Sequence, residues 1–253
     1  MFTIGAVDLD AVLAAFFYPF FRIVALASSA PVLGHSSVPP MVRIALAVLV
    51  TAIVAPALPA VAAVSPFGAP GVLLMIEQVL IGLAIGLAMQ IAFAAVTLAG
   101  DLIGLQMGLS FAAFIDPQNS EQAPLVGSFL SITLMLVFLA INGHLLLIAA
   151  LVDSFNAFPL RLDAVRGLDA VRLVRSGADL FAFGLQIALP IIGAMLLTNL
   201  TLGMLARTSP QLNLLAVGFA VTLSVGLLML FLELPMLAPG FEHILHRGLT
   251  TFR

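Results

Sequence analysis

The sequence predicts an all-α integral membrane protein with about six apolar helical runs, several of them interrupted by proline or polar residues. Three observations carry that prediction. Of 253 residues, 62% are hydrophobic and 8% are charged, against about 25% charged in a soluble domain, so lipid is the expected solvent. The apolar residues collect into runs at about 11–33, 41–64, 71–99, 125–152, 177–206 and 212–238, each long enough for a hydrocarbon core that takes about 20 helical residues. Isolated strands cannot satisfy their backbone in lipid, and the alternation of a membrane barrel is absent, which leaves helices.

Run one holds Tyr18, Pro19 and Arg22 in its middle. Ala27-Ser28-Ser29-Ala30 resembles a cleavage site, but no positive charge precedes Arg22, so the run is expected to remain as a helix rather than be removed as a signal peptide. An arginine at the bilayer centre costs about 2.5–3.5 kcal/mol on insertion scales, so Arg22 should face protein, a polar cavity or an interface. Glu77, six residues into run three, is one available partner or is itself interfacial. Pro39-Pro40 separates runs one and two, and Pro56, Pro59, Pro66, Gly68 and Pro70 punctuate the passage to run three.

Run three and its extension carry a stripe at Gly82, Gly86, Gln90, Thr97, Asp101, Gly104 and Gly108. Steps of about three, four and seven residues keep one face of a helix. Small residues let backbones approach and amides bond across helices, so the stripe is either an intramolecular packing face or a subunit contact or pore-facing surface. At its end Gly100, Gly104 and Gly108 are spaced four apart, Met107 lies one turn before Phe111, and Phe114 follows Phe111 at i+3 before a break at Asp116-Pro117. Phe111 and Phe114 share a helical face, which reads as core or, alternatively, as the apolar constriction of a pore.

Asn142-Gly143-His144 interrupts run four. The link to run five is the most polar part, with Arg161, Arg166, Arg172 and Arg175 interleaved with Asp163 and Asp169, a pattern that predicts a short amphipathic surface helix. Pro190 lies within run five, and Glu233 beside Pro235 near the end of run six reads as interfacial. Taken as six simple crossings, the arginine distribution places both termini in the cytoplasm. The internal prolines and polar residues fit equally with helices buried in a multi-subunit assembly.

Composition also excludes chemistry. The chain has no cysteine, and all nine basic residues are arginine at a net charge of −3, which leaves no thiolate metal site and no basic patch for nucleic acid. His243 and His246 beside Glu242 lack further ligands, and no metalloprotease, nucleotide-loop or nucleophile-elbow motif occurs. Asp116 and Glu121 form no acid/base pair, so no cofactor, metal or catalytic group is expected. A stand-alone multi-pass transporter or channel is the competing reading, but the halves show no repeat and no buried carboxylate cluster.

Motifs in order across nearly the whole chain resemble the FliR family of flagellar export-gate proteins, and less closely the injectisome counterpart. They are Tyr18-Pro19 to Arg22 with Ala30-Pro31, Val38-Pro39 with Arg43, Gly104 to Phe111 followed by Asp116-Pro117, Asn142-Gly143-His144, Asp153-Ser154-Phe155 with Pro159, Asn199 with Gly203 and Arg207, and Pro210-Gln211-Leu212-Asn213 with Gly218-Phe219. The resemblance implies a P-like helical part over 1–176, including the plug segment 100–117, and a Q-like helical hairpin over 177–253. It implies a non-enzymatic subunit of the flagellar type III export gate in the bacterial inner membrane, at the basal body. Its partners would be P-type and Q-type gate subunits, the B-type export-apparatus protein, unfolded export substrates and membrane lipid. It also implies a complex placed largely above the membrane plane, in which Phe111 and Phe114, with Met107 nearby, plug the closed pore. Arg22, Arg207 and Asn213 are the polar residues expected to be structural.

Overall fold

The computed structural model describes residues 9–58, 64, 66–109, 124–162, 170–208 and 214–249. The described residues form α1 (Leu9–Ser29), α2 (Pro40–Val54) with a 3-10 turn at Ala55–Ala57, α3 (Ala69–Gln106), α4 (Leu125–Ala140), α5 (Gly143–Ala157), α6 (Ala170–Thr208) and α7 (Leu214–Leu249). No strand occurs among them. The elements follow the punctuation of the sequence. Pro40 opens α2 at the position where a proline's missing N–H costs nothing. Pro124, extended at φ −57° and ψ 117°, precedes α4. Pro19, Pro190, Pro235 and Pro239 lie inside helices, and each removes one ladder hydrogen bond.

Two expectations change. Run four is two helices, because Asn142 adopts the left-handed conformation at φ 57° and ψ 32°, which asparagine tolerates better than most residues. Arg172 and Arg175 belong to the first turns of the 39-residue α6, not to a separate short surface helix. Among the described residues five helices are long and apolar enough to cross a membrane, or six if α4 and α5, bent by 69° where they meet, count as one broken span.

The end of α3 is a Schellman motif. Gly108 takes φ 80°, its N–H reaches the Leu105 carbonyl at 3.1 Å, and the Leu109 N–H reaches the Gly104 carbonyl at 3.1 Å. These are the two bonds that satisfy the last orphan carbonyls of a helix closed by a left-handed glycine.

The chain divides into two compact units. The first comprises Met1–Gln90, Asn142–Ser176 and Leu245–Arg253, and Tyr18, Leu26, Ile81, Ile85, Leu147, Leu151 and Phe155 are buried in it. The second comprises Ile91–Ile141 and Gly177–Ile244. Its core holds three rings edge to face, with Phe93 at 5.8 Å from Phe138 and 5.3 Å from Phe241. Burial differs sharply among the long helices: 56% of the most apolar window of α3 is enclosed, against 22% for α6 and 17% for α7. Most of the apolar surface of α6 and α7 is therefore left for lipid or for other subunits.

Candidate functional site

In the first unit, α1 turns one face inward. Tyr18, Arg22 and Leu26 recur every four residues on that face, and all are buried. Arg22 is fully enclosed, and all five of its N–H groups are engaged. Nε donates to Gln78 Oε1 at 2.9 Å, and Nη2 donates to the same oxygen at 2.5 Å and to the Phe158 carbonyl at 2.7 Å. Nη1 donates to the Ser154 carbonyl at 2.9 Å and to Ser154 Oγ at 3.1 Å. The guanidinium also lies over the Phe155 ring, 4.1 Å from its centroid.

Every acceptor of Arg22 is neutral, so its countercharge comes from elsewhere. Ser154 and Phe158 lie at the C-terminal end of α5, where unpaired carbonyls give a helix its partial negative charge. Arg22 therefore caps α5 from another helix. The partner on α3 is Gln78, next to Glu77, and an amide supplies the acceptor without burying a second charge. One polar atom is left over, because Gln78 Nε2 is buried without a hydrogen-bond partner among the described residues. Nearby, Tyr18 donates its hydroxyl to the Val64 carbonyl at 3.0 Å.

The small-residue stripe of α3 divides by position. A Cβ on Gly82 would overlap the Arg22 carbonyl and lie 2.9 Å from Ala25 Cβ, while one on Gly86 would overlap Ser29 Oγ. Both glycines therefore bring α3 directly against α1. In the second unit, a Cβ on Gly100 would lie 2.5 Å from Gly127 Cα in α4. Thr97 and Ser131 hydroxyls bond across the same helix pair at 2.8 Å. Asp101 points an oxygen at Gly127, and that Oδ1 is buried without a hydrogen-bond partner. Gly104 differs, because a Cβ there would stand 3.6 Å from Val126 in ordinary contact. Gly108 is the helix stop already described.

Gln90 is exposed, unlike Gly82 and Gly86. Two steps of four residues advance a helix by about 80° beyond two full turns, which carries Gln90 off the glycine face. Met107 is fully buried, and a Cβ on Gly226 of α7 would lie 2.5 Å from its Cγ. Thr222 of α7 also donates to the Met107 carbonyl at 3.4 Å. Met107 is thus enclosed within this chain. Arg207 is exposed in the last turn of α6. Phe111, Phe114 and Asn213 lie outside the described residues.

Sequence reasoning missed Gln78, Ser154, Phe155 and Phe158. A signal for Gln78 was present, since extending the stripe one turn back from Gly82 lands on it. Ser154 and Phe155 fall in one of the motifs of the resemblance, but nothing there pointed to Arg22, because the roles of Ser154 and Phe158 lie mostly in backbone carbonyls.

The model of the family described as bacterial export proteins, family 1, matches residues 13–248. A flagellar biosynthetic protein FliR from Pectobacterium carotovorum subsp. carotovorum is 45% identical over 244 residues, covering 96% of this chain and 93% of the relative. The protein of that name from Escherichia coli (strain K12) is 42% identical over 229 residues, with 90% and 87% covered. The one from Bacillus subtilis (strain 168) is 32% identical over 253 residues, with 94% and 93% covered.

Proposed function

On the premise that this chain belongs to the bacterial export proteins of family 1, as a flagellar export-apparatus subunit in the inner membrane, we propose that Phe111 and Phe114 close the export pore as a plug. Unfolded flagellar proteins would pass through a pore that this subunit shares with P-type and Q-type subunits, next to the B-type protein. Transport is driven elsewhere in the apparatus, and this chain contributes no catalysis of its own.

The observation that carries the reading is the end of α3. A helix anchored by buried Met107 stops at Gly108, two residues before Ser110, and the chain then enters the stretch that holds Phe111 and Phe114. Apolar rings can close a pore as a hydrophobic constriction. The proposed division into a P-like part over 1–176 and a Q-like hairpin over 177–253 is supported by α6 and α7, whose surfaces are mostly uncovered.

The test is Phe111→Ala combined with Phe114→Ala in the assembled gate. Small ions should leak through the double variant under conditions where the wild-type gate is tight. A double variant that assembles and keeps wild-type conductance overturns the plug.

A further inference from the structure

Glycine weakens a helix interior relative to alanine, and a packing demand is the usual reason for finding one there. Helix α7 carries four glycines, and only Gly226 meets such a demand. A Cβ there would lie 2.5, 2.8 and 2.9 Å from Cγ, Sδ and Cε of Met107, whereas at Gly218, Gly240 and Gly248 it would meet ordinary contact at most. One turn earlier on the same face, the Thr222 hydroxyl donates to the Met107 carbonyl at 3.4 Å. Helix α7 therefore grips both the side chain and the backbone of the residue just before the stop at Gly108. The Ile103, Gly104 and Leu105 carbonyls already accept from the N–H groups of Met107, Leu109 and Gly108. The Met107 carbonyl lies past those bonds, and α7 supplies its donor.

The grip is built to let go. Thr222 has one hydroxyl hydrogen and two carbonyls in reach, because the Phe219 carbonyl of its own helix stands at 3.1 Å. When Met107 leaves, the hydroxyl keeps a partner within α7, so separation orphans no donor. Methionine is unbranched, with three rotatable bonds, and withdraws from a glycine notch more readily than a rigid side chain would. The Arg22 node is the opposite case, since opening it strands buried acceptors.

We propose that Thr222 and Gly226 form a releasable seat for Met107, and that this seat fixes where the plug segment starts when the gate is closed. The proposal rests on the plug reading of Phe111 and Phe114. Thr222 and Gly226 are positioning residues that act on the plug through Met107. Both contacts lie on one face of α7, so a shift of that helix breaks them together, and α7 is the element through which the closed state is released.

The test is ion leak through the assembled gate carrying single variants of α7, with the amount of this chain in the purified complex measured alongside. Gly226→Ala pushes on Met107 and should raise the leak about tenfold. Gly240→Ala, the same change on the same helix with nothing within 4 Å, should leave it at the wild-type level. Thr222→Val removes the hydroxyl at constant shape and should raise the leak about threefold, the effect of one interhelical hydrogen bond, while Thr222→Ser should stay tight. Wild-type leak from an assembled Gly226→Ala or Thr222→Val gate, or equal leak from Gly240→Ala or Thr222→Ser, overturns the seat. If Gly226→Ala does not assemble, the Thr222 pair decides alone. A gate with both Phe111→Ala and Phe114→Ala that assembles and stays tight brings down the plug reading; one that leaks while the α7 variants stay tight removes the seat alone.

Discussion

Replacing Arg22 by methionine should destabilise the chain by about 2–4 kcal/mol, the balance between the acceptors it orphans and the desolvation it no longer bears. The figure can be worked from the acceptors. Ser154 loses little, because its carbonyl still accepts the Phe158 N–H at 2.9 Å and its hydroxyl still donates to the Leu151 carbonyl at 2.6 Å. Gln78 Oε1 and the Phe158 carbonyl have no other hydrogen bond in the node, and each buried orphan costs about 1–3 kcal/mol. Loss of the guanidinium from the Phe155 face adds about 2 kcal/mol. Against these stands the desolvation of the arginine, several kcal/mol that the variant no longer bears. The check is a denaturant titration in mild detergent, read by helicity, on a double-mutant cycle with Gln78→Leu. The pair should cost about 1–3 kcal/mol less than the sum of the singles, since removing Gln78 also removes an orphaned acceptor. Additive costs would mean that Arg22 and Gln78 do not act together, and the node would be refuted as described. Arg22→Lys should fall between wild type and methionine, because an ammonium keeps the charge but has three donors and no planar fork.

The α3 glycines should separate in the same titration. Gly86→Ala puts a Cβ onto Ser29 and should cost about 1–3 kcal/mol, while Gly104→Ala meets only ordinary contact with Val126 and should change stability by less than about 0.5 kcal/mol. Equal effects would remove the distinction between a close helix approach and an open position. Gly108→Ala should cost about 1–2 kcal/mol from its left-handed backbone alone. A D-alanine introduced there by chemical ligation should cost nothing measurable, and an equal loss from both would show that space rather than φ sets the requirement.

Much of this architecture was legible from periodicity and punctuation. The apolar runs gave the helices, and Pro39-Pro40 and Asn142-Gly143 marked real boundaries. The need for Arg22 to face protein followed from the cost of an arginine in lipid. Its hydrogen-bond partner Gln78 did not follow, because nothing in composition or charge singles out a neutral amide that lies next to Glu77 in sequence but about 100° from it around a helix. The glycine ladder was visible as a pattern but not as three different jobs. Gly100 meets another backbone, Gly104 meets a side chain at normal distance, and Gly108 turns the chain. Spacing alone cannot separate these roles, since each depends on residues that arrive later in the chain. Gln90 shows the same limit, sharing a spacing with Gly82 and Gly86 but not their face.

The Arg22 node has a consequence in time. Its last acceptor, the Phe158 carbonyl, is 136 residues further along the chain. At ribosomal rates of about 5–20 residues per second, the cation made with the first helix waits on the order of 10 s before its acceptors exist. During most of that interval α1 carries an arginine that has at best Gln78, 56 residues along, to receive it, and long side chains in that state reach for the membrane surface. The first helix to be synthesised is therefore among the last to settle, and its final depth in the bilayer is decided only once α5 has been made.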